Sequence, residues 1–179
     1  MSEKIQIICS VKDCGWPTPV VFNKDRKKYP QADEIEPGWF GAMCQGQAIS
    51  VLVRAFIATQ DDKYLIAAED AVSLFNISSR KGGLKAVFMD RYVWYEEYPT
   101  NPPSFILNGF MFSLLGLYDL QYVSVKLQAH VSQLFKEGLE SLAAMLPLYD
   151  SGPELQRRFF RDFDGVLCSM FLKINRTLH

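Results

Sequence analysis

The chain is poor in histidine, with only His130 and His179 among 179 residues, and none of its four cysteines (Cys9, Cys14, Cys44, Cys168) stands in a CxxC pair. Zinc sites need closely spaced Cys and His ligands, so no metal is expected. Cys9 and Cys14 can close a small disulfide, and buried or incidental thiols are the other reading. Net charge is only −1. No global field draws the chain to nucleic acid or membrane, and a polyanion would need a local basic patch. A run of about eighteen apolar residues is missing, so no transmembrane helix is expected. The opening "MSEKIQIICSVKDCGW" is too polar for a signal peptide. Read alone, the chain looks cytoplasmic, or is a piece whose targeting segment lies outside it. Exact repeats and low-complexity tracts are lacking too. "RKGGLK" has no Walker pattern, which argues against a nucleotide site.

What is present is the composition of a folded domain, 49% hydrophobic and 22% charged. The length suffices for one sizeable core or part of a larger one. Residues 1–36 read as an irregular or β lead-in. "WPTPVVF" suits an extended edge segment, and "NKDRKKYPQADEIEPG" an exposed connection. From Trp39 the period becomes helical. Ala48, Val51, Leu52, Ala55, Phe56 and Thr59 mark one amphipathic helix, and Leu65, Ala68, Val72 and Phe75 mark a second, with Asp61-Asp62 between them. After the turn Arg80-Lys81-Gly82-Gly83, "LKAVF" and "YVWYEEY" predict a short hairpin. A very apolar helix is expected to begin near Pro102-Pro103, capped by Thr100 or Asn101. Another should run from about Val123 to Leu146, with Leu127, Val131, Leu134, Leu142 and Met145 inside, until Pro147 stops or bends it. A last helix is expected over Leu155, Phe159, Val166, Met170 and Ile174. The fold class is therefore mainly α. Alternating inner and outer helices suggest an incomplete α/α toroid (barrel) with short β hairpin segments over residues 37–179, and a plain bundle is the alternative.

Groups able to move protons concentrate in "WYEEYPTNPPSFILNGFMFSLLGLYDL", Trp94 to Leu120. Glu96 and Glu97 are neighbours. In an extended segment they point to opposite faces, so they are not a glycosidase pair. One is expected to face a cavity and the other solvent or a salt bridge; two solvated glutamates are the plain alternative. Tyr98 would share the face of Glu96, and Pro99 biases its backbone to extended geometry. Its hydroxyl can donate a proton or stabilise an oxyanion, or its ring can simply pack. Asn108 interrupts an apolar stretch, and a buried amide must bond either backbone or ligand. Gln45 and Gln47, around Gly46, raise the same question. Gly46 would let another backbone or a ligand come close. Arg80, Lys81, Lys85 and Arg91 form a loose basic cluster, either a solvated turn or an anchor for acidic sugars. The sequons Asn76-Ile77-Ser78 and Asn175-Arg176-Thr177 would matter only in a secretory lumen.

"EPGWFGAMCQGQAISVLVRAFIATQDDKYLIAA", "GGLKAVF", the "WYEEYP" segment and "LESLAAMLPLYDSG" together resemble, in order, the C-terminal region of the D-glucuronyl C5-epimerases of heparan sulfate and heparin biosynthesis. The resemblance spans roughly Gly15 to Gly152. It implies an incomplete α/α barrel, a preceding β-rich part, a homodimer and a Golgi-lumen membrane setting. The implied reaction inverts C5 of D-glucuronate to L-iduronate in N-sulfated heparosan, with no nicotinamide or other cofactor. It places proton transfer on Glu97 and Tyr98 and a substrate contact on Asn108, with Glu96 and Gln45 as weaker carry-overs. The implied partner is an acidic polysaccharide and not nucleic acid. The C5 hydrogen is α to a carboxylate, and inversion needs acid/base groups on both ring faces, so carboxylate and phenol suit the task.

The tail departs from this pattern. Residues 153–179 carry no tyrosine and lack the family's Arg-His and Trp-Asp-Tyr-His stretches. The donor for the opposite ring face is therefore expected to be missing. An inactive fragment that binds acidic polysaccharide or a partner chain is the alternative, and a uronate lyase a more distant one.

Overall fold

A computed structural model describes residues 8–10, 13–22 and 33–149. Among these residues the chain is mainly helical, with two short antiparallel hairpins. Its contacts divide into two compact units, Met1–Ser141 and Leu142–His179.

The first unit opens with β1 (Ile8–Ser10) and β2 (Asp13–Gly15), whose register sets Cys9 opposite Cys14. Single bridges then join Thr18 to Trp39 and Phe22 to Ile35. α1 (Ala42–Thr59) ends where Gln60 adopts a left-handed φ of 56° and its N–H bonds the Phe56 carbonyl. α2 (Asp62–Asp70) starts at once, because the Asp61 carboxylate accepts the Lys63 N–H at 3.1 Å. The second helical stripe spans two elements: α2 tightens into a 3-10 turn, Ala71–Asn76. Ala68, Val72 and Phe75 are buried there and Leu65 half-buried.

α1 buries a face that is shifted from, and overlaps, the one its periodicity suggests. Ile49, Leu52 and Val53 are inside, whereas Val51 is 59% exposed and Thr59 faces out. The helix is apolar on most sides, so hydrophobicity does not choose the face. Backbone approach does. A Cβ on Gly46 would collide with the Phe112 carbonyl and Ser113, and one on Gly116 with the Gly46 backbone. The glycine that could admit a backbone or a ligand thus admits the backbone of α3 (Leu107–Gln121). By length and composition α1 could also cross a membrane, but here it packs on α2 and α3 as a core helix.

β3 (Lys85–Phe88) and β4 (Tyr92–Tyr95) form the expected hairpin, with Lys85 opposite Tyr95. α3 spans Leu107–Gln121, five residues later than expected, and neither Thr100 nor Asn101 caps it. The Thr100 hydroxyl instead donates to the Pro102 carbonyl at 2.8 Å within a turn that holds a cis Asn101–Pro102 bond. α4 (Gln128–Met145) also starts later than its pattern implies. Ser124 Oγ donates to Glu69 on α2 at 2.6 Å and accepts the Leu127 N–H at 3.0 Å, holding the preceding segment as a loop. α4 packs closely through Gly138, where a Cβ would strike Leu114, and its Leu134 carbonyl accepts the buried Tyr95 hydroxyl at 2.9 Å. Trp94 stacks on Phe110 at 3.8 Å in this core.

The second unit begins with the last residues of α4, where Leu142 and Met145 are buried. A 3-10 turn, Leu146–Tyr149, follows from Pro147, which has no N–H to continue the helix. The helix expected over Leu155–Ile174 lies outside the described residues.

Candidate functional site

β4 ends at Tyr95, so the two-residue alternation stops before the acids. Glu96 still belongs to the frame. Its N–H donates to the Leu84 carbonyl at 2.7 Å, and its carbonyl accepts the Ala42 N–H at the head of α1 at 2.8 Å. Its side chain is fully buried. The carboxylate accepts Ser104 N–H at 3.0 Å, Ser104 Oγ at 2.9 Å and Phe105 N–H at 3.1 Å. These bonds hold Phe105 at a φ of 49°, a left-handed value costly for a bulky residue. They also explain the late start of α3, since the residues before it bond Glu96 instead of joining the helix. Burial pushes the Glu96 carboxyl above its ordinary range, and the donors from Ser104 and Phe105 oppose that rise.

Glu97 is buried as well, at 8% exposure, and among the described residues its Oε2 has no hydrogen-bond partner. The expectation that one acid meets solvent or a salt bridge is thereby corrected: both are inside and, among the described residues, neither is ion-paired, because the chain bends where a strand would have alternated. Two glycines make room for Glu97. A Cβ on Gly109 would stand 2.5 Å from its Oε2, and one on Gly41 would stand 2.5 Å from its carbonyl oxygen. The heads of α1 and α3 therefore both close on this residue. Neither helix has a side-chain cap or an acid in its first turn. The partial positive charge at the head of α3 lies beside the Glu97 carboxylate.

Tyr98 is half-buried, its ring stacked on Phe22 at 4.1 Å and tilted against Trp39 at 5.6 Å. The lead-in segment thus fixes its direction. Asn108 sits in the first turn of α3, next to Gly109, and is half-buried. The structure brings Glu97, Tyr98 and Asn108 into one region around the head of α3. Gln45 is directed elsewhere: its amide accepts the Trp16 N–H at 3.0 Å and donates to the Trp16 carbonyl at 2.8 Å. The hairpin splits the basic cluster, with Arg91 beside its turn and Arg80, Lys81 and Lys85 at its base. Asn76, in the first sequon, is exposed and pairs with His130 at 2.9 Å. Among the described residues no cluster of His, Cys, Asp or Glu is placed to hold a metal ion.

The sequence assigns no role here to two further residues, Gly109 and Cys44. Gly109 carries no local signal of a role, yet its missing side chain is the space Glu97 occupies. Cys44 counted as an incidental thiol. It lies in the first turn of α1 and is exposed. Enough of its thiol is walled in that partial desolvation, then the charge of Glu97, pushes its pKa up. The one hint was its place between the glycines of "GAMCQG".

A buried carboxylate oxygen with no hydrogen-bond partner among the described residues is equipped to take a proton from a bound ligand. Two known proteins are similar to this chain. D-glucuronyl C5-epimerase of Caenorhabditis elegans is 43% identical over 148 residues, covering 77% of this chain and 23% of that protein. The uncharacterized protein MJ1128 of Methanocaldococcus jannaschii is 36% identical over 121 residues, covering 66% of this chain and 39% of that protein. The chain therefore spans well under half the length of these relatives. Residues 14–155 match the family described as D-glucuronyl C5-epimerase C-terminus, and the chain belongs to that family.

Proposed function

We propose that this chain carries the proton-abstracting part of a carbohydrate epimerase that inverts C5 of D-glucuronate to L-iduronate in N-sulfated heparosan. The observation that carries the reading is the buried, unpartnered Oε2 of Glu97. A carboxylate kept from water and from internal donors is left available to a carbon acid. Glu97 removes the C5 proton. Tyr98, next in sequence and held by Phe22 and Trp39, assists on the same side of the ring. Asn108 contacts the sugar. Glu96 and Gln45, whose polar groups bond the chain's own backbone, frame the site rather than touch the substrate.

In this reading the helices form a sector of an α/α toroid, completed by the parts of a longer homodimeric protein that works in the Golgi lumen. Deuterium uptake at C5 of N-sulfated heparosan in heavy water tests the chemistry. Exchange above the no-protein blank is expected, without ultraviolet absorbance from an unsaturated uronate. That absorbance would mean a lyase instead. A second reading, a polysaccharide-binding fragment without turnover, draws on the small share of each relative that the chain spans. A folded chain that binds the polymer but exchanges no C5 hydrogen would favour it.

A further inference from the structure

Asn76-Ile77-Ser78 is a sequon that the Glu97 site leaves unused. A working acceptor has two requirements. The chain must offer Asn-x-Ser or Asn-x-Thr without proline at x, and the finished fold must leave the asparagine outside, because the attached glycan is bulky and hydrophilic. Ile77 satisfies the first. The fold satisfies the second. Asn76 closes the 3-10 turn Ala71–Asn76 and is exposed, whereas Leu74 and Phe75 just before it are fully buried. The turn is thus anchored in the core and ends with its amide in solvent. Ile77 (φ −92°, ψ 134°) and Ser78 (φ −57°, ψ 138°) then leave the turn in extended geometry. The Asn76 Nδ2 meets His130 Nε2 at 2.9 Å, and His130 is itself exposed, as are Gln128 and Ala129 before it in the first turn of α4. An amide Nδ2 carries two hydrogens, and donation to an imidazole nitrogen uses one. A glycosylated amide keeps one hydrogen, so the contact with His130 is compatible with the modification. Asn175, of the second sequon, lies outside the described residues.

We propose that Asn76 is an acceptor for an N-linked glycan, carried on the surface where the 3-10 turn meets the head of α4. The proposal rests on the lumenal setting of the proposed function and is independent of the chemistry at Glu97. In the transfer, Nδ2 bonds C1 of the first sugar of a lipid-linked oligosaccharide diphosphate. The C1–O bond to the diphosphate breaks, the lipid diphosphate leaves, and one amide proton passes to a base of the transferring enzyme. The Ser78 hydroxyl is the second polar group that the motif needs. Transfer takes place on the growing chain, before Leu74 and Phe75 are buried. The fold then decides whether the product is tolerated, and at Asn76 the glycan meets water rather than a packed neighbour.

The test expresses the full chain behind a secretory leader in animal cells. Chain from microsomes and medium is pooled, so that a variant that folds poorly is still scored. Peptide-N-glycosidase in heavy-oxygen water converts a glycosylated asparagine to labelled aspartate, read by mass spectrometry in the tryptic peptide Tyr64–Arg80. Wild type should carry the label at position 76. Asn76→Gln and Ser78→Ala should reduce it to background, and Ser78→Thr, which keeps the hydroxyl, should retain it. An unlabelled wild-type peptide overturns the proposal. Label that persists in Ser78→Ala marks spontaneous deamidation and overturns it too. Removing the glycan from the secreted, folded chain should move Tm by no more than a degree or so, and a glycosylated chain found only as aggregate would mean that the surface does not admit the glycan. The same peptide from the native protein tests the setting separately. Label in the leader-borne chain but not in the native one would overturn the lumenal reading and leave Asn76 a competent acceptor.

Discussion

Glu96 and Glu97 are adjacent acids with opposite fates, and the difference is hydrogen bonding rather than depth. Glu96 accepts from Ser104 and Phe105, while among the described residues the Oε2 of Glu97 accepts from none. The Glu96 carboxyl, raised by burial above its ordinary 4.5, holds its proton to higher pH in the folded than in the unfolded chain. Its contribution to stability is full below 4.5 and is lost as pH rises through the raised folded value. Urea unfolding of Glu96→Gln across that range should show a flatter pH dependence than wild type, and an unchanged slope would contradict the assignment. Tyr98→Phe removes one hydroxyl and little volume. It should abolish C5 exchange while leaving Tm within a degree or so, and retained exchange would release Tyr98 from proton transfer. For Asn108→Ala weaker polymer binding is expected. A collapse of thermal stability alone would mean that the amide is structural.

At the scale of elements, two glycine contacts decide whether the site exists. Gly46→Ala drives a methyl into the α3 backbone. It should destabilise by about 1–3 kcal/mol in urea unfolding, although alanine favours a helix interior by about 1 kcal/mol. Gly109→Ala pushes on the Glu97 carboxylate instead. It should cost about a hundredfold in C5 exchange, the penalty of a small misplacement, with little change in Tm. Equal loss of stability in the two variants would mean that Gly109 serves packing only. The helices were legible from apolar period and caps, as at Asp61. Their faces and starts were less so. The inward face of α1 was misplaced because apolar residues surround the helix, and α3 began late because Glu96, distant along the turn, claimed the N–H groups of Ser104 and Phe105.

For the whole molecule, a net charge of −1 leaves polyanion binding to local cations. If the chain engages acidic polysaccharide through the base of the hairpin, a double Arg80→Ala, Lys81→Ala variant should bind more weakly, most visibly at low salt. Arg91→Ala, beside the hairpin turn, should change little. Equal effects would mean a diffuse field rather than a site.

By itself the sequence determined the mainly helical class, the β3–β4 hairpin, the family and the concentration of acids and phenol at Glu96–Tyr98. Each is written in local period or in the order of residues along a short stretch. Only the tertiary structure decided which acid belongs to the frame and which lacks a partner among the described residues, that Gln45 binds Trp16, and that Gly109 makes room for Glu97. Those outcomes depend on which backbones approach within contact distance, and residues far apart in the chain carry no local signal of that approach.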